Sequence, residues 1–126
     1  MSQLAQLLRF RALGPWDAAQ VKCAQGESNF APPAIVRTEI ERVWMMLGQR
    51  PEVHLFDGGL CRVESFSARA EELSMVLSEI SYKSFAGTNM HNPQFAAQYG
   101  ESAMANPLGM SVALISSDGR LVMGRR

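Results

Sequence analysis

The stretch PPAIVRTEIERVWMMLGQRP restricts the fold more than any other part of the chain, because it can be little besides one bounded helix. Pro33 suits a first helical turn, where its missing N–H has no partner to lose. Ile35, Val36, Ile40, Val43, Trp44 and Leu47 recur at three- and four-residue spacing and define one apolar face. Arg37, Glu41 and Arg42 fall on the other face. Glu41 follows Arg37 by four positions, the less favourable order for an ion pair on a helix. Gly48 is a natural C-cap, and Pro51 forbids continuation. Trp44, Met45 and Met46 are expected to pack into the core.

The other periodic segments alternate. Ahead of the helix, LAQLLRFRAL, the turn pair Gly14-Pro15 and WDAAQVKCA suggest a hairpin. QGESNFAPP is loop chemistry. After the helix, HLF at 54–56 predicts a short strand and DGG at 57–59 a turn. LCRVESF and ELSMVLSEI predict two antiparallel strands joined by a loop over 67–72. Asn92-Pro93 predicts an N-cap and first residue for a short helix PQFAAQYG that ends at Gly100. SVALI and RLVMG flank Ser-Asp-Gly and predict a final hairpin. The expected fold is α+β: a mostly antiparallel sheet packed with one main helix, plus a terminal hairpin.

A chain of 126 residues can bury a core without disulfide or metal support. With 47% apolar and 19% charged residues, the composition is globular. Twelve basic residues balance twelve acidic ones, so no nucleic-acid or membrane-surface footprint is expected. Arg120, Arg125 and Arg126 form a local basic cluster, which most simply is a solvated strand end. Cys23 and Cys61 lie far apart among apolar neighbours and are expected to be buried, reduced thiols. MSQLAQLLRFR lacks the apolar core and cleavage site of a signal peptide. No run approaches the roughly 18 apolar residues of a membrane span, and a cytosolic location is expected.

Catalytic chemistry is hard to assemble from these residues. His54 and His91 are the only histidines, and neither has partners at metal-ligand spacing. Glu71-Glu72 reads as a solvated pair. There is no GxSxG and no P-loop, and no helix follows DGG as a dinucleotide fingerprint requires. One stretch stands out. SYKSFAGTN gathers Ser81, Tyr82, Lys83, Ser84, Thr88 and Asn89 around a glycine, just after a strand. As a loop it would suit a hydroxylated or phosphorylated ligand. The same residues could equally hydrogen-bond their own backbone in a turn.

HLFDGGLCRVESF, SEISYKSFAGTNM and ANPLGMSVALISSDGRLVMGRR together resemble, in order and spacing, the amino-terminal portion of Nudix hydrolases of the UDP-glucose diphosphatase type. The similarity covers about residues 35 to 126, and SYKSFAGTN and NPLGMSVALIS are its most specific pieces. The resemblance implies an amino-terminal substrate-side domain over 1–106 and the first hairpin of a Nudix domain over 107–126. It implies nucleotide-sugar contacts from Ser81, Tyr82, Thr88 and Asn89, with Phe56 and Asp57 as further candidates. Arg125, with Arg126, ends the strand that leads toward the diphosphate site in that family. There a Pro-Gly-Gly stretch and the glutamate-rich Nudix box follow, and the box binds the Mg²⁺ that activates water. These 126 residues contain no such box, so the resemblance implies no Mg²⁺ site and no hydrolysis by them alone. It also implies a reading frame that continues past Arg126.

A second reading is a stand-alone, non-catalytic binding or interaction domain. The final strand then has an open edge, and a homodimer joining two terminal hairpins would close it.

Overall fold

The computed structural model describes residues 14–124. The fold is α+β, as the periodicities predict. In chain order the main elements are β1 (Val21–Gln25), α1 (Ala34–Gly48), β2 (Gly59–Ala68) and β3 (Leu73–Ser81). There follow α2 (Tyr82–Phe85), a π-helical turn (Ala86–Met90), α3 (Phe95–Tyr99), β4 (Leu114–Ile115) and β5 (Leu121–Val122).

Helix α1 is the predicted helix. It buries Val36, Ile40, Val43 and Leu47, one residue per turn. Val36 and Ile40 pack with Phe95 and Met104, while Val43 and Leu47 pack with Ala86. The apolar face is narrower than its sequence suggests: Ile35 and Met45 are exposed. Gly48 is the last helical residue rather than the residue past the end, and Gln49 closes the helix in a right-handed conformation.

Strands β2 and β3 pair antiparallel, and β3 occupies the centre of the order β1-β3-β2. The exception in the mostly antiparallel sheet is β1, which runs parallel to β3 from Val21↔Leu73 to Gln25↔Leu77. A parallel neighbour requires a crossover, and α1 lies within it. Residues 4–13, the first arm of the expected hairpin, lie outside the described residues.

Three local expectations are corrected. His54-Leu55-Phe56 is not a strand and DGG is not a turn: residues 53–58 run without ladder pairing, and Leu55 packs against the end of α1. Ser81 to Asn89 is not a loop but the helical pair of α2 and the π-turn. The short helix begins at Phe95, two residues later than expected, and stops at Gly100 with φ of 87°. Nor are the thiols buried. Cys61 and Cys23 are both exposed, because this three-stranded sheet buries Arg62, Ser78 and Ile80 and leaves their alternating neighbours uncovered.

The terminal hairpin forms, but with strands shorter than SVALI and RLVMG suggest: Leu114 stands opposite Val122 and Ile115 opposite Leu121. Its three-residue loop Ser117-Asp118-Gly119 ends on a glycine at φ of 77°, the conformation such loops need.

The helical pair can sit on α1 because of Gly87. A Cβ there would come within 2.6 Å of the Ile40 Cα. The Ile40 Cα is a backbone atom and cannot move aside by a rotamer change. Gly87→Ala should lower stability by about 1–3 kcal/mol, as overpacking does. A urea denaturation midpoint equal to that of the parent chain would show that the two helices do not approach this closely.

Candidate functional site

The sequence-predicted residues divide into two groups at opposite ends of the helical pair. The first group lies where β3 turns into α2. Ser81 caps the helix: its Oγ accepts from the Ser84 N–H at 3.1 Å. Asp57 caps it too, with Oδ1 accepting from the Lys83 N–H at 2.8 Å. The Tyr82 N–H donates to the Gly58 carbonyl at 2.8 Å. Thus residues 57–58 and 81–83, separate in sequence, are laced together. The Tyr82 ring meets Trp44 and Phe85 edge-on, at centroid distances of 6.3 and 5.9 Å. Phe56 stands beside this lacing at 81% exposure, with its ring offered to solvent.

The second group faces inward. Thr88 is fully buried. Its hydroxyl donates to the Ser84 carbonyl at 2.7 Å and accepts from the Ala105 N–H at 3.2 Å. Asn89 grips Asn106 twice: Nδ2 donates to the Asn106 Oδ1 at 2.8 Å, and Oδ1 accepts the Asn106 N–H at 2.9 Å. Asn106 sits at φ of 45°, a conformation that asparagine tolerates better than most residues. In this structure Thr88 and Asn89 therefore hold the segment 105–106 and not an open cleft. Arg125 lies outside the described residues.

Sequence reasoning missed the residue at the centre of this grip. Arg62 is 2% exposed. Its Nε donates to the Ala105 carbonyl at 3.2 Å and its Nη2 to the Met104 carbonyl at 3.1 Å. Nη1 donates to the Asn29 Oδ1 and to both Glu64 oxygens, at 2.9 and 2.8 Å. The guanidinium also lies 5.5 Å from the Phe30 ring centroid. Glu64 accepts further bonds from the Ser78 hydroxyl and the Asn29 N–H. It is the extra residue of a bulge, since pairing jumps from Val63↔Leu77 to Ser65↔Val76. The alternation of LCRVESF was visible, but the natural inference from it puts Cys61 and Val63 inside. The available signal was the Arg-x-Glu spacing, which sets opposite charges on one strand face.

From this grip the chain leaves along the outer edge of β2. The Val63 N–H donates to the Asn106 carbonyl at 3.2 Å, and the Leu108 N–H to the Cys61 carbonyl at 2.7 Å. The hairpin of β4 and β5 lies beyond.

The remaining chemical candidates are engaged or solvated. The His91 ring lies 2.9 Å from the Ala86 carbonyl, at the end of the π-turn. Glu71 and Glu72 are exposed, and Glu72 accepts from the Ser74 hydroxyl. Arg120 pairs with Asp118 in the open. Among the described residues no three His, Cys, Asp or Glu side chains gather as a metal site, and no helix is long and apolar enough to cross a membrane.

A scan against protein-family models finds no match for this sequence, and a search of curated proteins finds none.

Burial of Glu64 by itself would raise its pKa. The bonds from Ser78, Arg62 and the Asn29 N–H, with the Arg62 charge, outweigh that and hold it below the ordinary 4.5. A carboxyl depressed on folding contributes stability that is present above the unfolded pKa and lost as pH falls through the folded one. Stability should therefore be level down to about pH 4.5 and decline below it. In Glu64→Gln this part of the decline should be absent, at a lower starting stability. Urea midpoints measured against pH check this; identical acid slopes in the two proteins would remove Glu64 as a cause.

Proposed function

We propose that this chain is the amino-terminal, nucleotide-sugar-recognising part of a Nudix-type hydrolase of nucleoside diphosphate sugars. Hydrolysis itself belongs to a Nudix box, which these 126 residues do not contain. The Mg²⁺ that such a box holds is the box's own ligand, and no step through it is assigned to the residues described.

The observation that carries this reading is a hairpin apolar on both faces, reached across residues 109–113 from the held segment 105–108. Leu114 and Val122 form one cross-strand pair, and Ile115 and Leu121 the next, on the opposite face. All four are more than half exposed. Two strands with apolar side chains on both sides are not stable alone in water. They suit the interior of a larger sheet covered on both faces. The resemblance of NPLGMSVALIS and the following strand to the opening of a Nudix sheet supplies such a sheet. The clamp of Arg62, Thr88 and Asn89 then sets how the substrate-side body stands against it.

Within that body the recognition role falls to the outward group. Phe56 offers an aromatic face on which a base or sugar ring can lie. Tyr82 and Asp57 stand in the same laced corner, with Ser81 behind them. Thr88 and Asn89 contribute by holding residues 105–106, upstream of the hairpin.

The open edges of the same hairpin favour a second reading, a non-catalytic domain that dimerises by pairing terminal strands. Calorimetric titration with UDP-glucose, run beside light scattering, separates the two. The first reading expects a monomer that binds UDP-glucose without hydrolysing it and loses affinity in Phe56→Ala and Tyr82→Ala. Phe56→Ala alters only an exposed ring, so its fold is retained. Absence of binding, or binding that neither substitution weakens, would sink the recognition role. A dimer that Val122→Lys dissociates, in a chain that ignores the nucleotide sugar, would establish the second reading.

A further inference from the structure

A separate groove of about 610 Å³ opens between the start of α1, the Phe30–Pro32 segment and α2. We propose that this groove is a binding site for a phosphate-bearing small ligand. The inference stands on its own observations and does not depend on the nucleotide-sugar reading.

The volume lies within the range of small-molecule sites. Two cations line it from different elements, Arg37 of α1 and Lys83 of α2. Each is held at one point before any ligand arrives. The Arg37 Nη1 donates to the Pro32 carbonyl at 3.0 Å, which pins one arm of the guanidinium at the rim. Four N–H donors of the fork remain, and a planar fork matches phosphate oxygens. Lys83 is held at its backbone by Asp57. Its side chain is only 24% exposed, so the stem is packed and the ammonium has a restricted reach. Thr38 and Ser84 add hydroxyls to the lining, and Phe30 and Ile40 add apolar wall. Such a wall takes the non-phosphate part of a ligand while the polar groups fix its orientation.

One carboxylate opposes an anion here. Glu41 pairs with the Lys83 ammonium at 2.6 Å while its own side chain is 62% exposed. With the Glu41 carboxylate largely in water, the pair is solvent-screened on that side and contributes little. A dianionic phosphate meets the ammonium with twice the charge of Glu41 and can take its place, leaving the carboxylate in water. The groove thus carries two cations against one displaceable carboxylate, and Glu41 sets its affinity downward.

Inorganic pyrophosphate is the probe, titrated at low ionic strength into the folded chain and followed by backbone amide NMR. Saturable shifts are expected at Arg37, Thr38, Lys83 and Ser84. Arg37→Ala and Lys83→Ala should each weaken binding by about tenfold, the value of one charged hydrogen bond. Glu41→Gln should tighten it by several fold, a direction that damage to the fold would not produce. All three side chains lie at the surface of the groove, and thermal melts of the variants check that each remains folded. Shifts that fail to saturate at millimolar pyrophosphate would overturn the site. So would shifts spread evenly over all arginines and lysines, or an affinity unmoved by Glu41→Gln.

Discussion

The structure depends on one buried guanidinium. Arg62 reaches three parts of the chain at once: the Asn29 loop, the bulge at Glu64 and the carbonyls of Met104 and Ala105. An arginine withdrawn from water is unfavourable unless its donors are matched and its charge is balanced. Here Glu64 balances the charge, and every buried polar side-chain atom among the described residues has a partner. The arrangement is specific for that reason. A slip in the register of β2 or a shift of the segment 104–106 would leave a charge or several carbonyls unpaired. The apolar clusters around α1 supply most of the burial, but they do not by themselves dictate where the chain leaves the body.

That exit is what the proposed function turns on. The helical pair after β3 presents Thr88 and Asn89 to one side of residues 105–106, and β2 presents Arg62 to the other. Between them the backbone has little freedom. The same helical pair starts at a corner where Asp57 and Ser81 cap it and Phe56 is exposed. In the proposed function, a ligand at that corner and a sheet built on the hairpin would bear on the two ends of this helical pair.

Much of this architecture was legible from pattern. Proline and glycine punctuation bounded α1, period-two alternation found β2 and β3, and Ser-Asp-Gly found the last turn. Partner choice was not legible, because VKCAQ carries no mark that selects a parallel neighbour over an antiparallel one. Nor was the helical state of SYKSFAGTN, whose Ser, Thr, Asn and Gly favour turns by local propensity. Packing against Ile40 and the bonds to 105–106 override that preference. The candidate site divided for the same reason. Tyr82 and Asp57 share the corner where β3 turns into α2, but the sequence could not tell that the Thr88 hydroxyl points into the body. The inward Arg62–Glu64 pair inverted the usual inference that the charged members of an alternating strand face water.

The spread of the clamp along the chain has a consequence for how the protein is made. Its members run from Asn29 through Arg62, Glu64 and Ser78 to Asn106. During synthesis, Arg62 emerges ahead of residues 104–106, whose carbonyls receive its guanidinium. Until then Arg62 lacks two of its carbonyl acceptors, and hydration of that cation opposes closure of the buried face. The cluster around α1 also waits for Phe95 and Met104, so the body locks only when residues 104–106 have emerged. The timing of that lock is written into the distance between Arg62 and its last partners.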